Sequence, residues 1–185
     1  PRIPASNQKI LSSAFALDNL GPYYALKTSL RKLSTGELHI NASGDPDFDS
    51  SHLNQLVSEL HSYKFTSANK IPIIINGISP RNWWPSSWSY SDRKEEYGAP
   101  ITRYSIASNS SIKALNQPID NFIYVLDKTL RNQKLSSSYF IKSVNQEYPI
   151  DFISTINTID SAPLYVLINL VNSESHNFTS EVIFR

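Results

Sequence analysis

The chain has 185 residues, of which 40% are hydrophobic and 18% are charged, and its formal net charge is +1. This length suits a domain with a packed core, and the balanced charge excludes both a disordered polyelectrolyte and a basic nucleic-acid-binding protein. The absence of cysteine excludes disulfides, zinc–thiolate sites and thiol nucleophiles. Since the sequence also lacks methionine and begins at Pro1, we expect a processed chain or a fragment.

No stretch of the sequence has the length of a membrane anchor. The longest apolar stretches, residues 71–78 and 162–171, are interrupted by asparagine and are shorter than the roughly 20 residues that cross a bilayer. We therefore expect no membrane span, and we find no export signal within the chain.

The first predicted element is an apolar helix that begins near Pro4 and ends at Gly21-Pro22. Six apolar residues recur along it at helical spacing: Ile10, Leu11, Ala14, Phe15, Leu17 and Leu20. An extended segment over residues 23–30 follows, and residues 37–41 alternate in the manner of a strand. This part of the chain therefore predicts a helix that leads into a sheet.

The middle of the chain predicts a mixture of helices and strands. An amphipathic helix capped by Asp49 or Ser50 presents four apolar residues on one face: Leu53, Leu56, Val57 and Leu60. Residues 71–75 have the pattern of a buried strand, and a loop with all three tryptophans follows: Trp83, Trp84 and Trp88. From residue 97 to 159 the pattern is strand-like, with one helix predicted over residues 119–130.

Two apolar helical patterns end the chain, over residues 163–171 and 177–185, with a polar break between them. The ends are therefore helical, whereas the middle is Ser- and Tyr-rich mixed sequence. We predict an α/β (α+β) fold in which residues 1–30 and 158–185 form one helical layer and residues 31–157 form an inserted α/β domain.

Metal and nucleotide sites have no support in the sequence. The four histidines lack the H-x-x-x-H or H-E-x-x-H spacing of metal ligands: His39, His52, His61 and His176. The five glycines form neither a P-loop nor a G-x-G-x-x-G pattern. We predict no metal and no cofactor.

Serine chemistry is better supported. In the pattern S-x-x-K a hydroxyl and an amine lie on one helix face, so that a neutral lysine can accept the serine proton. In a serine-rich chain this pattern also arises by chance, and five matches begin at Ser6, Ser29, Ser67, Ser91 and Ser110. Ser6 is favoured because it begins the apolar helix, where backbone N–H groups can hold an oxyanion and Lys9 would be buried beside the core. The alternative is an ordinary N-cap serine with an exposed Lys9.

The segment around Ser6 resembles a known family. Residues 2–14, RIPASNQKILSSA, are similar to the active-site segment of class C low-molecular-mass penicillin-binding proteins, which are D-Ala-D-Ala carboxypeptidases and endopeptidases. Three further segments resemble the family in the same order: Gly36-Glu37-Leu38 with Ser43-Gly44-Asp45-Pro46; Trp88, Asp92, Tyr97, Ala99 and Pro100; and Ser161-Ala162-Pro163-Leu164 with Glu174 to Arg185. The resemblance implies the helical part of a transpeptidase-like domain with an inserted domain.

The resemblance also implies a role for each residue of two motifs. Ser6 would be the nucleophile that attacks the D-Ala carbonyl, and Lys9 its general base. In the S-x-N motif, Ser175 would relay the proton to the leaving amine, and Asn177 would hydrogen-bond the substrate peptide. The middle residue of this motif is commonly Asp in the family and is His176 here.

Asp92 and Tyr97 match positions that, in the family, hold the free amino end of the diaminopimelate side chain. A carboxylate suits an ammonium group, and an aromatic ring suits its aliphatic stem. The alternative for Asp92 is a solvated loop acid beside Arg93 and Lys94. For the three tryptophans, packing is favoured over a platform that stacks on sugars.

The function implied by the resemblance is that of a serine peptidase of the bacterial cell envelope. It would act on peptidoglycan stem peptides in the periplasm, would be inhibited covalently by β-lactams, and would need no cofactor. A non-catalytic relative that binds peptidoglycan or a partner is the alternative, and a β-lactamase or esterase on the same scaffold is a weaker one.

The third motif of the family, K-T-G, does not follow S-x-N in these 185 residues. In the family it supplies the second oxyanion donor and binds the terminal carboxylate of the substrate. We therefore expect a chain that is cut at both ends and has little turnover by itself.

Overall fold

A computed structural model of the protein describes residues 5–63, 69–77, 79–110, 115–145 and 151–185. Its helices are α1 (Gln8–Leu20), α2 (Ser50–Ser58), α3 (Pro118–Asn132), α4 (Leu164–Ser173) and α5 (Asn177–Phe184). Its strands are β1 (Lys27–Leu33), β2 (Leu38–Asn41), β3 (Ile71–Asn76), β4 (Tyr139–Val144) and β5 (Phe152–Asp160). Every helix that the sequence predicts is present.

The five strands form one sheet in the order β4-β3-β2-β1-β5. β2, β3 and β4 are parallel and are connected through α2 and α3, whereas β1 is antiparallel to both β2 and β5. In the parallel part, Leu38 lies opposite Ile73 and Ile73 lies opposite Ile141. Because both β-α-β crossovers step in the same direction, α2 and α3 cover the same face of the sheet.

The main core lies between this face of the sheet and the two crossover helices. Leu30, Leu38 and Ile73 of the strands and Phe122 and Leu126 of α3 are fully buried there. These are the residues that the period of 2 in strands and of 3.6 in helices places on the inner side. Burial of apolar side chains therefore holds the sheet and its helices together.

The cap of α2 is Asp49, one of the two residues that the sequence offers for this role. Its carboxylate oxygen Oδ1 accepts hydrogen bonds from the backbone N–H of Ser51 at 2.8 Å and of His52 at 3.1 Å. A carboxylate here satisfies N–H groups that have no partner within the helix.

Helices α1, α4 and α5 form a second layer, in which Ala16, Leu164 and Ile168 are buried together. α1 ends as predicted at Gly21, whose φ of 78° suits glycine and whose N–H donates to the carbonyl of Leu17 at 3.0 Å. The described residues do not include residues 1–4, among them Pro1 and Pro4, or Ser67.

Strands β1 and β5 connect the sheet to the helical layer. Lys27 lies opposite Asp160 at the ends of the two strands, and the N–H of Leu164 in α4 donates to the carbonyl of Tyr24 at 2.7 Å. The predicted domain limits, after residues 30 and 157, stay a prediction, and both fall within these strands.

Residues 97–110 form short turns instead of the strand-like structure that the sequence predicts. Asn109 Nδ2 donates to the carbonyl of Pro100 at 2.9 Å, and Ser105 Oγ donates to the carbonyl of Asp45 at 3.0 Å. Side-chain bonds of this kind satisfy backbone groups that a strand would pair in a ladder. The pattern of apolar residues alone does not reveal that these side chains compete with a neighbouring strand for the backbone groups.

Candidate functional site

The candidate nucleophile and base lie at the start of α1. Ser6 is in a short 3-10 turn, Ala5–Asn7, directly before the helix, and Lys9 follows in the first helical turn. The backbone at Ala5 has a φ of 46°, in the left-handed region that costs energy for a residue with a side chain. Ser6 is exposed, and Lys9, which the sequence predicts to be buried beside the core, is half-buried.

The S-x-N motif lies in the turn between α4 and α5. Ser175 has a φ of 54°, and Asn177 is the first residue of α5. His176 caps this helix, because its ring nitrogen Nδ1 accepts from the N–H of Thr179 at 3.4 Å and contacts the Thr179 hydroxyl at 2.6 Å. The middle residue of the motif therefore stabilises α5, whereas the two residues that flank it contact Lys9.

A continuous chain of hydrogen bonds joins the two motifs. Lys9 Nζ donates to Ser175 Oγ at 2.8 Å, and Ser175 Oγ donates to Ser6 Oγ at 2.9 Å. Lys9 Nζ also donates to Asn177 Oδ1 and to the carbonyl of Ser175, each at 2.5 Å. The predicted residues Ser6 and Lys9 of one motif thus contact the predicted residues Ser175 and Asn177 of the other, which lies at the far end of the chain.

The order of these hydrogen bonds differs from the sequence prediction. The prediction has Lys9 acting directly on Ser6, whereas in the described residues the bonds run from Lys9 to Ser175 and then to Ser6. A proton that leaves Ser6 can therefore reach Lys9 through the Ser175 hydroxyl, which is both a donor and an acceptor.

Burial and a nearby carboxylate act on the charge of Lys9 in opposite directions. Burial lowers the pKa of the Lys9 amine, and the negative charge of Glu181 partly opposes that shift. Glu181 is half-buried, and burial raises the pKa of its carboxyl group, while Arg185 and Lys9 lower it. A lowered lysine pKa favours the neutral amine that can accept a proton.

Glu181 is not among the site residues that the sequence predicts. A signal was available, because Glu181 lies four residues after Asn177 in α5, and residues at this spacing share one helix face. Its effect on Lys9 depends on how α1 and α5 pack, which no local pattern reveals.

Asp92 and Tyr97 lie beside this cluster. The Tyr97 hydroxyl donates to Asp92 Oδ1 at 3.3 Å, and the Tyr97 carbonyl accepts from Asn177 Nδ2 at 3.0 Å. The segment is tightly closed, since a Cβ on Gly98 would lie 1.7 Å from the carbonyl oxygen of Asp92. The predicted substrate-binding pair is thus adjacent to the residues of the two motifs.

The tryptophans have packing contacts. Trp83 packs against the main core, and Trp84 Nε1 donates to the carbonyl of Gly98 at 2.9 Å. The guanidinium of Arg93 lies 5.2 Å from the centre of the Trp84 ring. These contacts favour a packing role for the tryptophans over a sugar-binding platform, in agreement with the sequence prediction.

The described residues contain neither a metal-binding group of side chains nor a membrane-spanning helix. No group of three or more His, Asp or Glu side chains there is arranged to hold a metal ion. None of the helices in the same part of the chain has the length and apolar character to cross a membrane.

An α/β fold in which S-x-x-K and S-x-N side chains meet has the groups of a serine acyl-transfer site. Comparison with known families agrees, since residues 1–120 match the D-Ala-D-Ala carboxypeptidase 3 (S13) family. The chain therefore belongs to this family, and the predicted relationship to penicillin-binding proteins is confirmed.

Solved structures confirm the predicted fold. Penicillin-binding protein 4 of Haemophilus influenzae matches 99% of this chain with a TM-score of 0.71 and 15% identity. The same protein in complex with a β-lactam matches 98% with a TM-score of 0.65 and 17% identity. The matches cover 56% and 55% of those chains, so this chain spans about half of their length. No curated protein sequence matches the chain.

Proposed function

We propose that the full-length protein is a serine-type D-Ala-D-Ala carboxypeptidase or endopeptidase that cleaves peptidoglycan stem peptides outside the cytoplasm. The observation that carries this proposal is the hydrogen-bond chain from Lys9 through Ser175 to Ser6, in a member of the S13 family. A serine activated by a neighbouring lysine is a nucleophile suited to acyl transfer.

The first step forms an acyl-enzyme. Ser6 Oγ bonds to the carbonyl carbon of the D-Ala-D-Ala amide, and its proton passes through Ser175 Oγ to the neutral amine of Lys9. The backbone N–H of Ser6 stabilises the oxyanion. The amide C–N bond then breaks, and the proton returns through Ser175 to the amine of the leaving group.

The second step releases the acyl group. A water molecule gives a proton to Lys9 and bonds to the ester carbon, and the C–O bond to Ser6 breaks. The proton returns to Ser6 Oγ, which restores the starting state. Both steps need a neutral Lys9, in agreement with the direction in which burial shifts its pKa.

Substrate recognition falls to residues beside the nucleophile. Asn177 would hydrogen-bond the peptide through its second amide N–H, since the first donates to the Tyr97 carbonyl and Oδ1 accepts from Lys9. The Asp92 carboxylate is suited to the ammonium group of diaminopimelate, and the ring of Tyr97, 56% exposed, is suited to its aliphatic stem.

Labelling with a fluorescent penicillin tests the proposal. The strained amide of the β-lactam acylates the same serine, so the wild-type full-length protein should become covalently labelled and Ser6→Ala should not. Ser12→Ala is the matched control, because Ser12 lies in the next turn of α1 and, among the described residues, its hydroxyl donates to the carbonyl of Gln8 at 3.4 Å. Labelling of Ser12→Ala should equal that of the wild type.

Two results would contradict the proposal. An unlabelled wild-type protein that is folded by circular dichroism would favour the non-catalytic relative. Rapid hydrolysis of the penicillin without a stable adduct would favour a β-lactamase.

A further inference from the structure

We propose that His176 is a positioning residue of the reaction centre, because its ring holds the turn that presents Ser175 and Asn177 to the lysine. This role rests on the proposed peptidase function and deepens it, since it names the residue that fixes the geometry of the proton relay. Helix α4 ends at Ser173 and α5 begins at Asn177, so a very short turn joins them. The placement of two reactive side chains therefore depends on how this turn is anchored.

The ring of His176 satisfies two donor groups of one buried residue. Its Nδ1 accepts from the backbone N–H of Thr179 at 3.4 Å and lies 2.6 Å from the Thr179 hydroxyl. Because Thr179 is fully buried, water does not replace these bonds when they are lost. The main-chain carbonyl of His176 also accepts from the N–H of Ser180 at 3.2 Å. The side chain and the main chain of His176 thus both fix the first turn of α5.

The turn needs an anchor because its backbone is strained. Ser175 has a φ of 54°, in the left-handed region, where a residue with a side chain is at a cost. His176 follows in the extended conformation of an N-cap residue, with a φ of −68° and a ψ of 108°. Without the bonds from His176 to Thr179, we expect the Ser175 hydroxyl to leave its place between Lys9 and Ser6.

The body of α5 is held independently of the His176 ring. Phe178 is buried together with Ala99 and Ile101, and Trp88 packs against this cluster. Burial of these apolar side chains keeps the helix attached to the turns that follow residue 97. Removal of the imidazole therefore releases mainly the turn before the helix and leaves the fold in place.

The cap requires a His176 ring that has no proton on Nδ1, since only a free lone pair accepts from the Thr179 N–H. Burial lowers the pKa of His176. The negative charges of Asp47 and Glu96 oppose this shift, and the positive charge of Lys9 adds to it. Protonation would remove the acceptor and place positive charge at a helix N-terminus, where the helix dipole disfavours it. The turn should therefore loosen at acidic pH.

Acylation of the full-length protein by a fluorescent penicillin, measured as a rate from about pH 5 to 9, tests this role. His176→Ala removes the acceptor and should slow acylation roughly tenfold at about pH 8, the effect of a lost helix cap. His176→Asn keeps a capping acceptor and should react within about threefold of the wild type.

His52→Ala is the matched control, because this histidine also contacts the start of a helix. His52 Nδ1 accepts from the N–H of Asp49 at 3.2 Å, at the beginning of α2 in the sheet region. The variant removes a histidine and a capping contact away from the serine cluster, so its rate of acylation should equal that of the wild type. Circular dichroism spectra establish that all variants are folded.

The acid side of the pH profile separates a positioning role from a general loss of stability. In the wild type the rate should fall as Lys9 is protonated, and then by up to a further tenfold or so as His176 is protonated. In His176→Asn only the first fall should remain, because asparagine does not titrate. A change in overall stability alone would leave the shape of the profile unaltered.

Three results would overturn the positioning role: normal acylation in His176→Ala, equal slowing in His176→Ala and His176→Asn, or a second fall that persists in His176→Asn. A wild-type protein that is never labelled would contradict the proposed function alone. Amide hydrogen exchange would then decide on His176. The Thr179 N–H should exchange roughly tenfold faster in His176→Ala than in His176→Asn, and equal exchange would overturn the role.

Discussion

The sheet with its two crossover helices and the layer of α1, α4 and α5 differ in how they are held together. In the first region, Leu30, Phe122 and Leu126 are completely buried in one extended core. In the second, the described residues form a smaller shared cluster of Ala16, Leu164 and Ile168, and Leu167, Val171 and Phe178 are buried nearby. Here α1 leaves three large side chains mostly exposed: Ile10, Leu11 and Phe15.

The buried core and the candidate site therefore lie in different layers of the molecule. The serine cluster lies in the helical layer, where hydrogen bonds and turn geometry hold its members: Ser6, Lys9, Ser175 and Asn177. We therefore expect changes in the two layers to have separable effects on stability and on acylation.

The largest expected effect is on the rate of acylation. Lys9→Met removes the proton acceptor and should slow labelling by fluorescent penicillin roughly 10²–10⁴-fold. The free energy of unfolding should change by less than about 1 kcal/mol, because the amine is only half-buried. Lys27→Met, which removes an exposed ion pair with Asp160, is the control and should label normally. Normal labelling of Lys9→Met would contradict the proposed mechanism.

A smaller effect, on stability alone, should distinguish the two layers. Phe122→Ala empties a fully buried position and should lower the free energy of unfolding in urea by about 3–5 kcal/mol. Phe15→Ala makes the same chemical change in α1, where the ring is 62% exposed, and should cost less than about 0.5 kcal/mol. Similar costs for the two variants would show that the layers do not differ as described.

The smallest expected effect is on the pH dependence of stability. His39 is fully buried in the sheet region, and its ring nitrogen Nε2 is 3.0 Å from Asn76 Oδ1. Burial lowers the pKa of His39, the bond to Asn76 opposes this shift, and the positive charges of Arg31 and Arg103 add to it. As the pH falls, the unfolded chain binds the proton first, so stability present above about pH 6.5 is lost below it.

The slope of this loss is at most about 1.4 kcal/mol per pH unit for one histidine. His39→Gln should flatten the dependence below pH 6.5 when urea unfolding is measured at several pH values. His176→Asn is the matched change in the helical layer, where burial also lowers the histidine pKa but the residue is only half-buried. A larger flattening in His176→Asn than in His39→Gln would contradict this prediction.

The success of sequence-based prediction also differs between the two layers. Periodicity predicts α2, α3 and β3 because each has one face in the main core. It also predicts α1, and Lys9, which the sequence predicts to be buried beside the core, is half-buried. Apolar spacing indicates which face a helix could bury and says nothing about whether another element covers it.

For the candidate site, the resemblance to a known family predicts which residues form the site but not in what order they bond. The position of Ser175 between Lys9 and Ser6 depends on a left-handed backbone angle at Ser175 itself. A serine tolerates that angle only when its surroundings enforce it, so tertiary packing decides the geometry. The same holds for Glu181, whose influence on Lys9 arises across two helices.

The contact between Asn177 and Tyr97 has a consequence for how selectivity can diverge. Asn177 bonds to the main-chain carbonyl of Tyr97, which every amino acid provides. The phenol of Tyr97 contacts Asp92 separately. The side chain at position 97 can therefore change while the orientation of Asn177 is kept, so that, under the proposed function, new peptide specificities can arise without a change in Ser6, Lys9, Ser175 or Asn177.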